Sequence, residues 1–258
     1  MVTYNDNGIV LSSHNLSESD KIINIYTRNH GLVRAIAKGS RKTKSKFKGK
    51  IEKITALNLL FAKGKNLDIV SEAEITHSFS KLKTNLSFLS YGFLFCEIVK
   101  SFAHEREQDS FLTYDLLLSN LEKIPFEKDL NLLTIKFILE FLSIHGLLPQ
   151  TENCVSCNAD VDIELGDKKS YSIHYGGVLC HECSNTPHII IESSILKLIK
   201  SESQNITDYG IWEKSSIGNE EQHKIDKSLL IKTIELLKEH INHHGKEEIK
   251  SFDLVFSI

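Results

Sequence analysis

At 258 residues, 41% hydrophobic and 25% charged with a net charge of -3, the chain has the composition of an ordinary soluble protein with room for two or three small domains. No apolar run approaches the ~20 residues that span a bilayer, which excludes a helical membrane anchor. Residues 1–16 lack the continuous apolar core of an export signal, so the five cysteines are read in a reducing cytoplasm rather than as disulfides.

The net charge hides a division. Residues 1–80 carry 13 Lys and Arg against 7 Asp and Glu, and the rest of the chain carries 18 against 27. A basic front and an acidic rear point to one region that meets a polyanion and another that does not.

The front reads as β structure. Residues 8–13 form a short apolar strand. Residues 21–29 alternate, with Ile23, Ile25 and Thr27 on one face and Ile22, Asn24, Tyr26 and Arg28 on the other. After a turn at Asn29, His30 and Gly31, residues 32–38 alternate again, Val33, Ala35 and Ala37 opposing Arg34, Ile36 and Lys38. Strands at 54–62 and 67–75 follow, joined by Lys63, Gly64, Lys65 and Asn66. Such a run of short strands suits a small closed barrel of the OB type; an SH3-like barrel gives the same periodicity.

Residues 38–53, between the third and fourth strands, hold eight bases (Lys38, Arg41, Lys42, Lys44, Lys46, Lys48, Lys50 and Lys53) against one acid, Glu52. Lysines on alternate residues with Gly and Ser between them make no apolar face, so the segment reads as a mobile loop. Its charge suits a phosphate backbone; the bland reading is a solvated loop that only aids solubility. Tyr26 and Phe47 are the nearby aromatics with the chemistry to stack on bases, although core is the commoner fate of each.

From residue 82 the period is helical. Residues 86–104 are apolar around much of the circumference, with Leu86, Leu89, Phe93, Cys96 and Val99 recurring at three or four. Cys96 lies among Phe93, Leu94, Phe95 and Ile98, as a buried and inert thiol would. A second helix covers 110–121 and stops before Pro125. A third starts at an Asp129 cap, runs through Leu133, Phe137, Ile138 and Phe141, and ends at His145 and Gly146 with Pro149 beyond. Helices striped in this way bury their stripes against one another, which makes a bundle.

Next come Cys154-Val-Ser-Cys157 and Cys180-His-Glu-Cys183, 22 residues apart. Each pair puts two thiolates on one tight turn, and two such turns supply the four soft ligands of tetrahedral zinc. The gap has room for a β-hairpin, with strands at 160–164 and 171–174 turning at Gly166 and Asp167. A redox Cys-x-x-Cys stands alone at a helix start, and paired disulfides need an oxidising compartment. A catalytic zinc keeps one position open. The nucleobase deaminases, which share a Cys-x-x-Cys pair, carry His-x-Glu upstream and Pro before that pair. Here Asn153 and Leu179 precede the pairs and no His-x-Glu occurs. His174, His181 and His188 lie close enough to substitute as ligands, but four cysteines already close the shell. One structural zinc ion is the expectation.

The chain then returns to helix, Ser193 or Ser194 capping a short one through Ile195, Leu198 and Ile199. Residues 202–224 are polar, with Trp212 alone among them, and read as a loop or lid. Residues 227–244 form an amphipathic helix with Leu229, Leu230, Ile234, Leu237 and Ile241 inward and Gly245 as its stop. His240, His243 and His244 sit at helical spacing and can bind metal; solvated or helix-capping histidines are the commoner case. The expected fold class is therefore α+β and multidomain. An OB-fold barrel occupies 1–80, an α-helical domain 81–150 and 186–258, and a zinc-binding insertion 151–185.

Several short marks recur in a specific order: Gly8-Ile-Val-Leu, Ser17-Glu-Ser-Asp20, Gly31-Leu-Val, and Ala37-Lys-Gly39 before the basic segment. His145-Gly-Leu-Leu-Pro149 leads into the first cysteine pair, Gly176-Gly-Val-Leu-Cys180 into the second, and Ile249-Lys-Ser251 closes the series. In this order they resemble the RecO family of bacterial recombination mediators over nearly the whole chain. The resemblance implies an N-terminal OB-fold, a helical domain and a zinc knuckle. It implies binding of single- and double-stranded DNA and annealing of complementary strands. With RecR, such proteins load RecA onto strands covered by single-strand-binding protein, whose acidic C-terminal tail docks on the helical domain. Some members lack the cysteines, so zinc would be structural support.

On this reading the chain is a non-enzymatic protein of the bacterial cytoplasm, associated with the nucleoid and with no membrane partner. Its candidate DNA contacts are Arg28, Arg34 and the eight bases of 38–53; its metal ligands are Cys154, Cys157, Cys180 and Cys183. Three rivals stand beside it: a zinc-dependent nucleic-acid enzyme using Glu182 as base, an RNA-binding OB module, and a protein-only scaffold whose basic segment is idle.

Overall fold

The computed structural model describes residues 2–105, 107–164, 166–206 and 225–256, so most of the loop or lid expected at 202–224 lies outside the described residues. Strands β1 (Thr3–Asn15), β2 (Lys21–Thr27), β3 (Gly31–Ala37), β4 (Ala56–Ala62) and β5 (Asp68–His77) close a barrel in the order β1-β2-β3-β5-β4. β4 returns antiparallel to β1, and β3 meets β5 in parallel. This order, which periodicity cannot give, is the Greek-key closure of an OB-fold.

β1 is long because it serves two neighbours. Its first half pairs with β4 and its second with β2, with a bulge between Val10 and Ser12. The strand starts at Thr3 rather than residue 8, because Asn5, Asp6 and Asn7 interrupt the apolar pattern while their backbone still pairs with β4. Gly8 belongs to both ladders; a Cβ there would fall 2.4 Å from the Ile25 side chain.

Val10, Ile23, Ile25, Val33, Leu57, Leu59, Phe61 and Val70 fill the barrel, joined by Phe47 and Ile51 from the basic segment. That segment is therefore not the mobile loop its charge suggests. It winds through successive turns closed by N–H donations from Lys42 to Gly39, Ser45 to Lys42, Lys48 to Ser45 and Lys50 to Phe47. Phe47 and Ile51, only 2% and 1% exposed, anchor it in the core. Burying each side chain contributes about 1.5–3 kcal/mol, which offsets the ordering of only one to three neighbouring residues at about 1–2 kcal/mol each; the turn hydrogen bonds and packing of the rest must supply the remainder. Phe47 and Tyr26 are thus both core, and neither presents a face for stacking on a base. The Tyr26 hydroxyl donates to Glu107 at 3.0 Å.

Helices α1 (Ser80–Lys83), α2 (Leu86–Phe102) and α3 (Ser110–Lys123) follow the barrel, then α4 (Leu130–Ile144), β6 (Lys168–Ser172), β7 (Gly177–Leu179), β8 (Ile189–Glu192), α5 (Ser193–Ser203), α6 (Lys227–His244) and α7 (Ser251–Phe256). The chain divides into two compact units, Met1–Glu127 with Glu248–Ile258, and Lys128–Glu247. In the first, α7 packs on α2: Phe252 is fully buried and the Ser251 N–H donates to the Glu97 carboxylate at 2.8 Å. In the second, α4, α5 and α6 pack on one another through buried Phe137, Phe141, Leu196, Ile199, Leu237 and Ile241. The Asp129 carboxylate caps α4 by accepting from the Asn131 and Leu132 N–H groups, as expected. Neither Ser193 nor Ser194 caps α5, which starts from Glu192 without a side-chain cap bond.

The hairpin between the cysteine pairs also differs from expectation. Residues 160–164 form no strand; beyond an isolated bridge between Asn153 and Asp160, their alternation finds no partner. Instead β6 pairs with β7 across a turn at Gly176 (φ 74°) and with β8 on its other side, giving a sheet ordered β7-β6-β8. Among the described residues no helix is long and apolar enough to cross a membrane.

Candidate metal centre and basic face

The four cysteines of the doubled motif meet. Their Sγ atoms all lie within 4.8 Å of one another, and Cys157 and Cys180 are 3.6 Å apart. Ligands about 2.3 Å from a tetrahedral ion stand about 3.8 Å from each other, so the cluster has the size a four-thiolate metal site requires.

Local backbone sets this geometry. After Cys154 the chain turns through Asn158 (φ 62°), whose N–H donates to the Cys154 carbonyl, while the Cys154 N–H donates to Ala159. The second pair sits on a single 3-10 turn, His181–Cys183. The two are locked together where the Val155 N–H donates to the Val178 carbonyl of β7. Gly177 makes the close approach possible, since a Cβ there would meet the Gln150 carbonyl at 2.7 Å and Val155 at 2.5 Å.

The electrostatics of the cluster favour a bound cation. Burial opposes ionisation of Cys154, but backbone N–H groups of Cys180, Cys157 and Ser156 aimed at its sulfur outweigh it and bring the thiol down to about 6. At Cys183 the Ser156 hydroxyl favours the thiolate, yet the adjoining Cys180 and Cys157 sulfurs push the thiol up to about 12. Four thiolates this close cannot all ionise alone; a bound cation would remove the conflict and release protons. Such soft ligands suit a metal ion of the zinc, copper(I) or iron–sulfur class. His174, His181 and His188 are outside the cluster, and His188 is turned to the Thr186 carbonyl. Cys96 is likewise apart, its thiol pushed up to about 12 by complete burial.

The candidate polyanion contacts fall into groups. Arg34, Lys38, Lys42, Lys44 and Lys48 are exposed and make no hydrogen bond or ion pair among the described residues. Arg41 is tied to the Ser17 carbonyl at 2.6 Å, and Lys46 and Lys50 reach the β5 carbonyls of Ser71 and Ala73 at 2.5 and 3.0 Å. Lys53 lies over the Phe93 ring at 5.4 Å. Arg28 donates from Nε and Nη2 to both oxygens of Asp115, so a phosphate would have to compete with that carboxylate.

The segment starts from a fixed point, because the Asp20 carboxylate accepts from the Gly39 N–H at 2.7 Å, which holds it below the usual carboxylate range. Ser17-Glu-Ser-Asp20 and Ala37-Lys-Gly39 are thus two halves of one contact. Lys63 and Lys65 escaped the sequence reading. With Arg34 they line a cleft of about 280 Å³ beside Tyr4, His30 and Asp68. The Tyr4 hydroxyl and the Gly64 N–H both donate to Asp68, which fixes the loop carrying the two lysines. Only their position across from Arg34 reveals them, since two lysines in a turn are otherwise unremarked.

Known proteins resemble the chain over its whole length. Family models described as Recombination protein O N terminal and Recombination protein O C terminal match residues 1–79 and 84–251. A "DNA repair protein RecO" of Desulforamulus reducens is 26% identical over 255 residues, 99% of this chain and 94% of that protein. Proteins of the same name from Symbiobacterium thermophilum and a Nocardioides species are 31% and 32% identical, covering 72% and 70% of this chain and 73% and 74% of their own lengths.

Proposed function

The chain belongs to the Recombination protein O family, and on that footing we propose that it is a non-enzymatic, DNA-binding mediator of recombinational repair. The barrel of residues 1–80 holds single- and double-stranded DNA by its phosphates with little sequence preference. Strands whose charge is neutralised while their bases stay free then anneal. With RecR, the protein helps RecA replace single-strand-binding protein, whose acidic tail docks on the helical region of 81–150 and 186–258. Residues 151–185 carry one structural zinc held by Cys154, Cys157, Cys180 and Cys183. Four thiolates fill a tetrahedral shell, which leaves no position for a substrate or an activated water. The protein works in the bacterial cytoplasm at the nucleoid.

The observation that carries this reading is the anchored basic segment. Phe47 and Ile51 hold 38–53 against the barrel while Lys38, Arg41, Lys42, Lys44, Lys46 and Lys48 remain exposed. A pinned row of cations loses less conformational freedom on meeting a phosphate chain than a floppy one does. Arg34, Lys63 and Lys65 extend the cationic surface of the same barrel.

The test is annealing of complementary strands precoated with single-strand-binding protein, with and without this chain. Acceleration is expected, and its absence would sink the mediator function. Replacing Lys42, Lys44, Lys46 and Lys48 together by Gln should weaken single-strand binding and reduce the log–log salt slope by up to about 2.8, at about 0.7 per phosphate. Unchanged affinity and slope would remove the segment from the interface. An RNA strand that displaced DNA at equal concentration would favour an RNA-binding module instead.

A further inference from the structure

In the unit Lys128–Glu247 the last turn of α6 and the turn between β6 and β7 bring four histidines together, and their hydrogen bonds divide them into two kinds. His240 is fully used. Nε2 donates to the Leu147 carbonyl at 2.9 Å and Nδ1 accepts from the Tyr171 hydroxyl at 3.1 Å, in a ring only 1% exposed. None of the other three has both ring nitrogens bonded among the described residues. His174 Nδ1 and His243 Nε2, on exposed side chains from the two different elements, share one hydrogen bond at 3.2 Å, whose proton a bound ion would displace. The His244 ring lies 5.0 Å from that of His243. Its Nε2 is buried without a hydrogen-bond partner among the described residues.

Two nitrogens bound to one tetrahedral ion at about 2.0–2.1 Å stand about 3.3–3.4 Å apart, close to the spacing of His174 and His243. A bound ion would give the buried His244 nitrogen, which otherwise has nothing to bond, a partner.

We propose that His174, His243 and His244 form a second metal site, independent of the four cysteines, for a divalent transition-metal ion of the zinc, nickel or copper class. Imidazole nitrogens prefer these ions, and water fills the remaining coordination. His174 and His243 supply the preformed pair, and a turn of the His244 ring brings in the third nitrogen. The bound ion would tie the end of α6 to the β6–β7 turn, two places 69 residues apart in sequence. The site depends on neither DNA binding nor the reading of the cysteines.

The experiment uses the untagged full-length protein with its cysteine cluster already zinc-loaded, titrated with Ni²⁺ by calorimetry and with Cu²⁺ by electron paramagnetic resonance. One further equivalent of Ni²⁺ is expected, and Cu²⁺ should show hyperfine coupling to more than one imidazole nitrogen. The double variant His174→Ala/His243→Ala should lose affinity at least a hundredfold and His244→Ala about tenfold. His188→Ala should bind as the parent does. Both pair residues are exposed, so metal-free variants should melt with the parent, and the copper spectrum of the parent tests the site even if they do not. No second equivalent, no imidazole coupling, or parent-like binding by the double variant would overturn the site.

Discussion

His240 is held neutral by what surrounds it. Burial lowers its pKa to about 4, against the smaller favourable effect of its bond to the Leu147 carbonyl, and neighbouring His244 and His243 push the same way. In the unfolded chain a histidine takes its proton near 6.5, so between about 6.5 and about 4 the unfolded state binds more protons than the folded one. The stabilisation from this neutral His240 is fully present above that window and is lost as pH falls through it, at up to about 1.4 kcal/mol per pH unit. His244, also lowered mainly by burial, adds to the loss. Urea denaturation at pH 7.5 and pH 5 should therefore show acid destabilisation in the parent and a shallower dependence in His240→Gln. That variant also starts less stable at pH 7.5, by about 1–3 kcal/mol, because the buried Tyr171 hydroxyl loses its acceptor. Equal pH dependence in the two proteins would mean that this ring does not titrate on unfolding.

At the scale of elements, the segment 38–53 has two jobs that one composition conceals. Most of its lysines face solvent, and its few apolar residues complete the barrel core. Phe47→Ala should cost about 3–5 kcal/mol in chemical denaturation, the range for removing a buried aromatic ring. The four-lysine Gln variant should stay within about 1 kcal/mol of the parent, since Lys42, Lys44 and Lys48 make no specific contact and the Lys46 bond to the Ser71 carbonyl is exposed. A Phe47→Ala loss below about 1 kcal/mol would mean that the segment is not part of the core.

This division explains what sequence can and cannot reveal here. Alternation in 21–37 is read directly because one face of β2 and β3 is buried throughout. The doubled Cys-x-x-Cys is legible because the ligands and their spacing are local. Phe47 and Ile51 are hidden by the lysines around them, and β5 beside β3 is hidden because parallel pairing leaves no local turn signal. The His174–His243 pair is invisible in one dimension, since each residue alone looks like a surface histidine.

For the whole molecule, the cysteine cluster and the basic segment belong to different compact units, Lys128–Glu247 and Met1–Glu127 with Glu248–Ile258. Each unit has its own buried core, so removal of an ion held by the four cysteines should be felt first in one of them. Structural metal ions bound by four thiolates contribute directly to folding free energy, so a strong chelator or Cys157→Ser should loosen the sheet β7-β6-β8 and its turns. Hydrogen exchange should then speed up at Val155, Tyr171 and Val178, whose amides lie in that sheet or bridge to it, while the amides of β2 and β3 stay protected. Single-strand affinity should remain within about twofold, because no cysteine contributes charge to the barrel surface. A tenfold or greater fall in DNA affinity on chelation, with the barrel amides still protected, would place the metal module in the DNA interface itself and require a binding surface larger than the barrel.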